Sequence, residues 1–83
     1  MKQVEYEPAA LKSLRRMPAN VARRIVSKIE AYAVDPSSQA NNVKRLKGGE
    51  AIRLRVGDWR IIMKDNIVLL VLRIGPRGDI YDR

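Results

Sequence analysis

The sequence predicts an α+β domain in which an N-terminal strand and an antiparallel helical hairpin pack on an antiparallel β-sheet, in the order β-α-α-β-β-β. Three observations point there. The stretch 51–81 (AIRLRVGDWRIIMKDNIVLLVLRIGPRGDIY) reads as three strands joined by two tight turns. Apolar residues recur at three- and four-residue spacing through 8–34, as amphipathic helices require. Between these halves lies a single polar, turn-rich segment, 35–44 (DPSSQANNVK), too short to link two domains. The 83 residues therefore form one domain, 1–83.

Taken in order, Lys2 to Tyr6 reads as a short edge strand, with Val4 alternating against charged neighbours. Pro8 suits the first turn of a helix, where its missing N–H is not needed. That helix carries Leu11 and Leu14 with Ala9 and Ala10, and Met17-Pro18 ends it, because a residue before proline avoids the α region. A second helix runs from about Pro18 to Val34. Val21, Ile25, Ile29 and Tyr32 lie on one side and Arg23, Arg24, Lys28 and Glu30 on the other, until Asp35-Pro36 stops it. A short strand over Val43–Lys47 precedes a turn at Gly48-Gly49.

In the 51–81 stretch, Gly57-Asp58 and Asp65-Asn66 can each supply the positive φ of a two-residue hairpin loop. Val56 then faces Trp59, Arg55 faces Arg60, and Arg53 faces Ile62. Across the second turn Lys64 faces Ile67, Ile62 faces Leu69 and Arg60 faces Val71. Alternation sorts the residues into two faces. One is uncharged (Ile52, Leu54, Val56, Trp59, Ile61, Met63, Val68, Leu70, Leu72, Ile74) and is expected to pack on the helices. The other sets Arg53, Arg55, Arg60, Lys64 and Arg73 around Ile62, Ile67, Leu69 and Val71. Like charges directly opposite, such as Arg55 and Arg60, cost roughly 0.2–1 kcal/mol. Folding gives no reason for that placement, and an anionic ligand does. The same face is expected to leave an apolar patch for a partner segment to cover.

Composition narrows the chemistry. Seventeen Lys and Arg against nine Asp and Glu leave a net charge of +8, which suits a polyanionic partner. With no cysteine there are neither disulfides nor thiolate metal sites, and with no histidine the usual general base and most transition-metal ligands are gone. No cofactor or metal is expected. No apolar run is long enough to span a membrane and no signal-peptide pattern opens the chain, so the cytoplasm is the expected compartment. Gly48-Gly49 and the G-P-R-G run lack the strand-to-helix context of phosphate loops.

The order of helical hairpin, R-L-K-G (45–48), I-R-L-R-V-G-D-W-R-I (52–61), acidic turn, hydrophobic strand and I-G-P-R-G-D-I-Y (74–81) resembles the RelE/ParE superfamily of toxin–antitoxin toxins. The resemblance implies a toxin neutralised by a cognate antitoxin with an acidic or amphipathic segment. In the RelE branch it implies a ribonuclease that enters the ribosomal A site and cuts mRNA there, beside ribosomal RNA. Carried over by position, Arg60 matches a strand arginine near the scissile phosphate, and Arg77 the arginine after the last strand. Tyr81 matches a tyrosine that stacks on a base or moves a proton, and Arg53 a basic site position. Lys47 matches a basic position facing ribosomal RNA; Lys44, Arg45, Arg55 and Arg73 join it as candidate RNA- or ribosome-binding residues. Pro76 stands where many relatives have histidine, and Ala51 where one branch has a second lysine. The resemblance thus leaves the general acid and base unassigned.

The chemistry so implied is metal-independent: the RNA 2′-OH attacks the adjacent phosphate in line, leaving a 2′,3′-cyclic phosphate and a 5′-OH. Arginine neutralises phosphate charge well and moves protons poorly. Two other readings remain at this point. The ParE branch shares the fold but inhibits DNA gyrase, and a RelE-like site that has lost its catalytic groups would be a binding module.

Overall fold

The computed structural model describes residues 1–76. Its elements are β1 (Val4–Tyr6), α1 (Pro8–Arg16), α2 (Ala19–Val34), a 3-10 helix (Pro36–Asn42), β2 (Val43–Arg45), β3 (Ala51–Val56), β4 (Trp59–Asp65) and β5 (Leu69–Pro76). The strands form one five-stranded sheet in the order β1-β5-β4-β3-β2. The α+β class is as predicted. The sheet is mixed, because β1 joins the edge parallel to β5 while the other pairs are antiparallel.

Local chemistry accounts for the helix limits. Pro8 occupies the first turn of α1, and the backbone N–H groups of Ala10 and Leu11 donate to the Glu7 carbonyl. Met17, extended at φ −95° and ψ 161°, stops α1 ahead of Pro18. The Pro18 carbonyl then accepts from Val21 and Ala22 to start α2. Asp35 ends α2, and its side chain accepts from the Ser37 backbone N–H at 3.1 Å, capping the 3-10 helix.

The buried stripe of α2 is Ile25, Ile29, Tyr32 and Ala33. It meets Ile52, Leu54, Val56, Ile61, Met63, Leu69, Val71 and Ile74 from the sheet, with Ala10 and Met17 completing the core. Trp59, expected in the core, is half-buried against its edge.

The first hairpin has the predicted register, with Val56 opposite Trp59, Arg55 opposite Arg60 and Arg53 opposite Ile62. Gly57 supplies the positive φ, at 58°. The second does not. Asp65 is the last residue of β4 and pairs with Leu69, so the loop is the three residues Asn66–Val68, with Asn66 N–H donating to the Val68 carbonyl. No non-glycine residue among those described has positive φ, so neither Asp65 nor Asn66 takes the left-handed role expected of it.

Lys64 accordingly faces Leu70 and not Ile67, and Met63 faces Val71. The strand has slid by an odd number of positions, which turns its side chains over. Leu69 and Val71 are therefore core residues at 0% exposure, not members of the charged face. Leu70 is on the charged side, half-buried, and Val68 lies in the loop. Beyond Met63–Val71 the next pair is Ile62–Arg73, which leaves Leu72 as the extra residue of a bulge. The bulge restores the parity, so Arg73 and Ile74 face as predicted.

Candidate functional site

The face of the sheet away from the helices is built around two opposed pairs of cations. Lys44 lies directly across from Arg53 in the β2–β3 ladder, and Arg55 across from Arg60 in β3–β4. These four side chains, with Asn41, Asn42 and Val43, line one shallow concavity. Among the described residues, none that lines it is acidic. Like charges directly opposite each other cost roughly 0.2–1 kcal/mol per pair.

The four cations lie at different depths. Lys44 and Arg55 are exposed, Arg53 is half-buried, and Arg60 is 7% exposed. The Arg60 guanidinium donates through Nη1 to the carbonyls of Gly57 (3.3 Å) and Trp59 (3.2 Å), so the turn backbone holds it at the base of the site. This corrects the expectation of an exposed Arg60. A buried guanidinium needs such acceptors, and the tight Gly57-Asp58 turn supplies one of them.

The expected apolar patch is also absent in the form foreseen. Ile62 does lie on this face, yet it is 3% exposed, and Leu69 and Val71 have rotated into the core. The register flanks Ile62 with Arg53 and Arg73, and long arginine stems on a sheet characteristically cover the apolar group between them. Ile67, at 93% exposure, is in the loop.

The remaining sequence candidates are dispersed. Arg73 is exposed on the same face, opposite Ile62, but does not line the concavity. Arg45 pairs with Ile52 and so belongs to the helix-bearing side. Lys47 is exposed in the turn before β3. Arg77 and Tyr81 lie outside the described residues. Asn41 and Asn42 were missed, because their segment read only as a polar loop. The adjacent amides just before a predicted strand were the one available signal.

A second polar cluster lies on the opposite side. Asp65 is ion-paired with Lys2 and accepts a 2.8 Å hydrogen bond from the Tyr32 hydroxyl, tying the chain start, α2 and the end of β4 together. Burial pushes the Asp65 carboxyl up, but the hydrogen bonds from Lys2 and Tyr32 and the Lys2 charge outweigh it, leaving a net lowering. Tyr32 is pushed up to about 12 by burial, by its hydrogen bond to Asp65 and by that carboxylate's charge, with Arg45 acting the other way. Its phenol is held protonated here as a structural donor. Among the described residues, no three His, Cys, Asp or Glu side chains gather to hold a metal ion, and no helix is long and apolar enough to cross a membrane.

Fold and site together define a small basic α+β domain with a cation-lined concavity on the sheet face away from the helices. The family model described as the ParE toxin of type II toxin–antitoxin system, parDE, matches residues 4–81. The chain belongs to that family, within the RelE/ParE superfamily of toxins.

Solved structures agree. A chain of the archaeal RelE–RelB complex from Pyrococcus horikoshii OT3 superposes with a TM-score of 0.79 at 26% identity, covering 94% of this chain and 97% of that one. The RelB–RelE antitoxin–toxin complex from Methanococcus jannaschii gives 0.70 at 28% identity, over 93% and 94%. The intact E. coli RelBE complex gives 0.75 at 18% identity, over 100% of both chains, a likeness of fold alone. A comparison with curated proteins gives no match.

Proposed function

We propose that this toxin is a ribosome-dependent endoribonuclease that cuts mRNA in the ribosomal A site and is neutralised by a cognate antitoxin. The observation that carries the reading is the convergence of Lys44, Arg53, Arg55 and Arg60 on one concavity. Such a site suits the phosphate of a single strand. Arg60 sits deepest, fixed by two carbonyls, while Lys44 and Arg55 stand at the surface where a backbone would approach.

In the reaction the 2′-oxygen forms a bond to phosphorus as the bond from phosphorus to the 5′-oxygen breaks. The 2′-OH loses its proton, and the leaving oxygen gains one. Guanidinium groups stabilise the extra negative charge on the phosphate as it develops. Arg77 and Tyr81 enter the proposal through the sequence resemblance. With no histidine in the chain, the lining cations neutralise charge and orient the strand, and proton transfer falls to Tyr81, to the RNA or to the ribosome.

The antitoxin proposal rests on family membership, on the +8 charge and on the relatives solved as complexes with RelB. A second reading, a non-enzymatic gyrase inhibitor, is favoured by the family model's ParE description.

One experiment separates the two. The purified toxin is added to ribosomes translating a defined mRNA, and separately to gyrase relaxing and supercoiling a plasmid. New mRNA 5′ ends within codons, with gyrase unaffected, support the nuclease. Intact mRNA with gyrase arrested sinks it.

A further inference from the structure

We infer that Asn41 and Asn42 are the residues through which the basic concavity distinguishes one RNA base from another. The inference rests on the RNA-cleaving reading above and adds to it a determinant of sequence preference. Both residues line the concavity beside Lys44, Arg53, Arg55 and Arg60. They are the last two residues of the 3-10 helix and lead directly into β2, so the strand that carries Lys44 also fixes their position.

Ordinary structural uses of asparagine do not account for the pair. At a turn or helix end, asparagine typically hydrogen-bonds a nearby backbone group or takes a left-handed conformation. In this segment Asp35 does the capping. Neither asparagine has positive φ, and neither side chain hydrogen-bonds a described residue. Asn41 is exposed and Asn42 half-buried, and both line the concavity.

The chemistry of an amide then decides what it recognises. A phosphate needs positive charge, which the four cations already supply and a neutral amide does not add. A base edge offers adjacent donor and acceptor groups, and an amide presents the complementary pair. Asparagine makes this two-point contact with adenine, and single-stranded RNA exposes its base edges for such reading. Cations for the backbone and amides for the base divide the work as positioning and specifying contacts do.

The test uses the full chain, ribosomes stalled with different codons in the A site, and cleavage rates read by primer extension for each codon. The proteins are the wild type, Asn41→Ala, Asn42→Ala and the double variant, each with its melting temperature. Wild type should prefer some codons, and the double variant should flatten that preference by about tenfold, as losing one two-point amide contact does, while retaining cleavage and its fold. The preference is the readout that a merely structural role would leave alone. An unchanged preference overturns the inference, as does a wild type without one. A folded variant that cuts no codon overturns it as well, since the amides would then serve binding in general. Should wild type cut nothing on ribosomes, the nuclease reading fails first and takes this inference with it. Asn41, being exposed, keeps the test open even if Asn42→Ala unfolds.

Discussion

Arg55 and Arg60 stand directly opposite each other across β3 and β4, yet Arg55 is exposed while Arg60 is 7% exposed and bonded to the carbonyls of Gly57 and Trp59. Two like charges share a ladder position because one is folded into the turn. The most buried cation of the proposed site is thus also part of the hairpin that forms it.

Arg60→Ala should therefore destabilise the protein by about 1–3 kcal/mol, since two backbone acceptors lose a charged donor and a buried side chain is removed. Arg55→Ala should be neutral or slightly stabilising, because it removes an opposed charge. Urea unfolding of the two variants checks the contrast. Equal midpoints would mean that the Arg60 bonds contribute nothing. Loss of toxicity in Arg60→Ala is then informative only at a temperature where the variant is folded.

Asp65 should make stability sensitive to acid. Its folded pKa lies below the ordinary carboxylate value, so its contribution is complete above about pH 4 and is lost as pH falls through the folded pKa. Tyr32 behaves oppositely. Its pKa of about 12 means that its contribution is complete below pH 10 and is lost as pH rises towards 12. Asp65→Asn should lower stability at neutral pH by about 1–2 kcal/mol and flatten the acid limb. Unfolding midpoints measured from pH 2.5 to 7 decide it: parallel curves for variant and wild type would refute the assignment.

Leu69→Ala should cost about 2–5 kcal/mol, because Leu69 is fully buried between β1 and β4. Ile67→Ala, two residues earlier, should change stability by less than about 0.5 kcal/mol, given its 93% exposure. Thermal melts of the pair test the loop length directly. With a two-residue turn, Leu69 would lie on the solvent face and Leu69→Ala would cost little.

An acidic antitoxin segment should associate at a rate that falls steeply with salt, since Lys44, Arg53, Arg55 and Arg73 create one positive face. Ile62 and Leu69 are buried and do not form the exposed apolar patch expected to meet it. Stopped-flow mixing with the protein encoded beside this one, across salt concentrations, should slow association far more than it speeds dissociation. An association rate indifferent to salt would exclude electrostatic steering.

Much of this molecule was readable in one dimension. Proline positions bounded both helices, three- and four-residue spacing identified Ile25, Ile29 and Tyr32 as the buried stripe, and Gly57-Asp58 set the register that opposes Arg55 to Arg60. These features are local: each depends on the conformational limits of a few neighbouring residues or on alternation within one strand.

What the tertiary structure alone decided is non-local. Whether Leu69 and Val71 face the core depends on parity, which a three-residue loop reversed and a bulge at Leu72 restored for Ile74. An apolar run reads equally well on either face. Its pairing with Val4 and Tyr6 of β1, and the clasp of Lys2 and Tyr32 on Asp65, accompany the observed choice. Likewise no pattern in the chain distinguishes a buried Arg60 from an exposed Arg55, or brings Asn41 and Asn42 to the arginines. Burial and convergence arise only when separate segments meet, and alternation within one strand carries no information about that meeting.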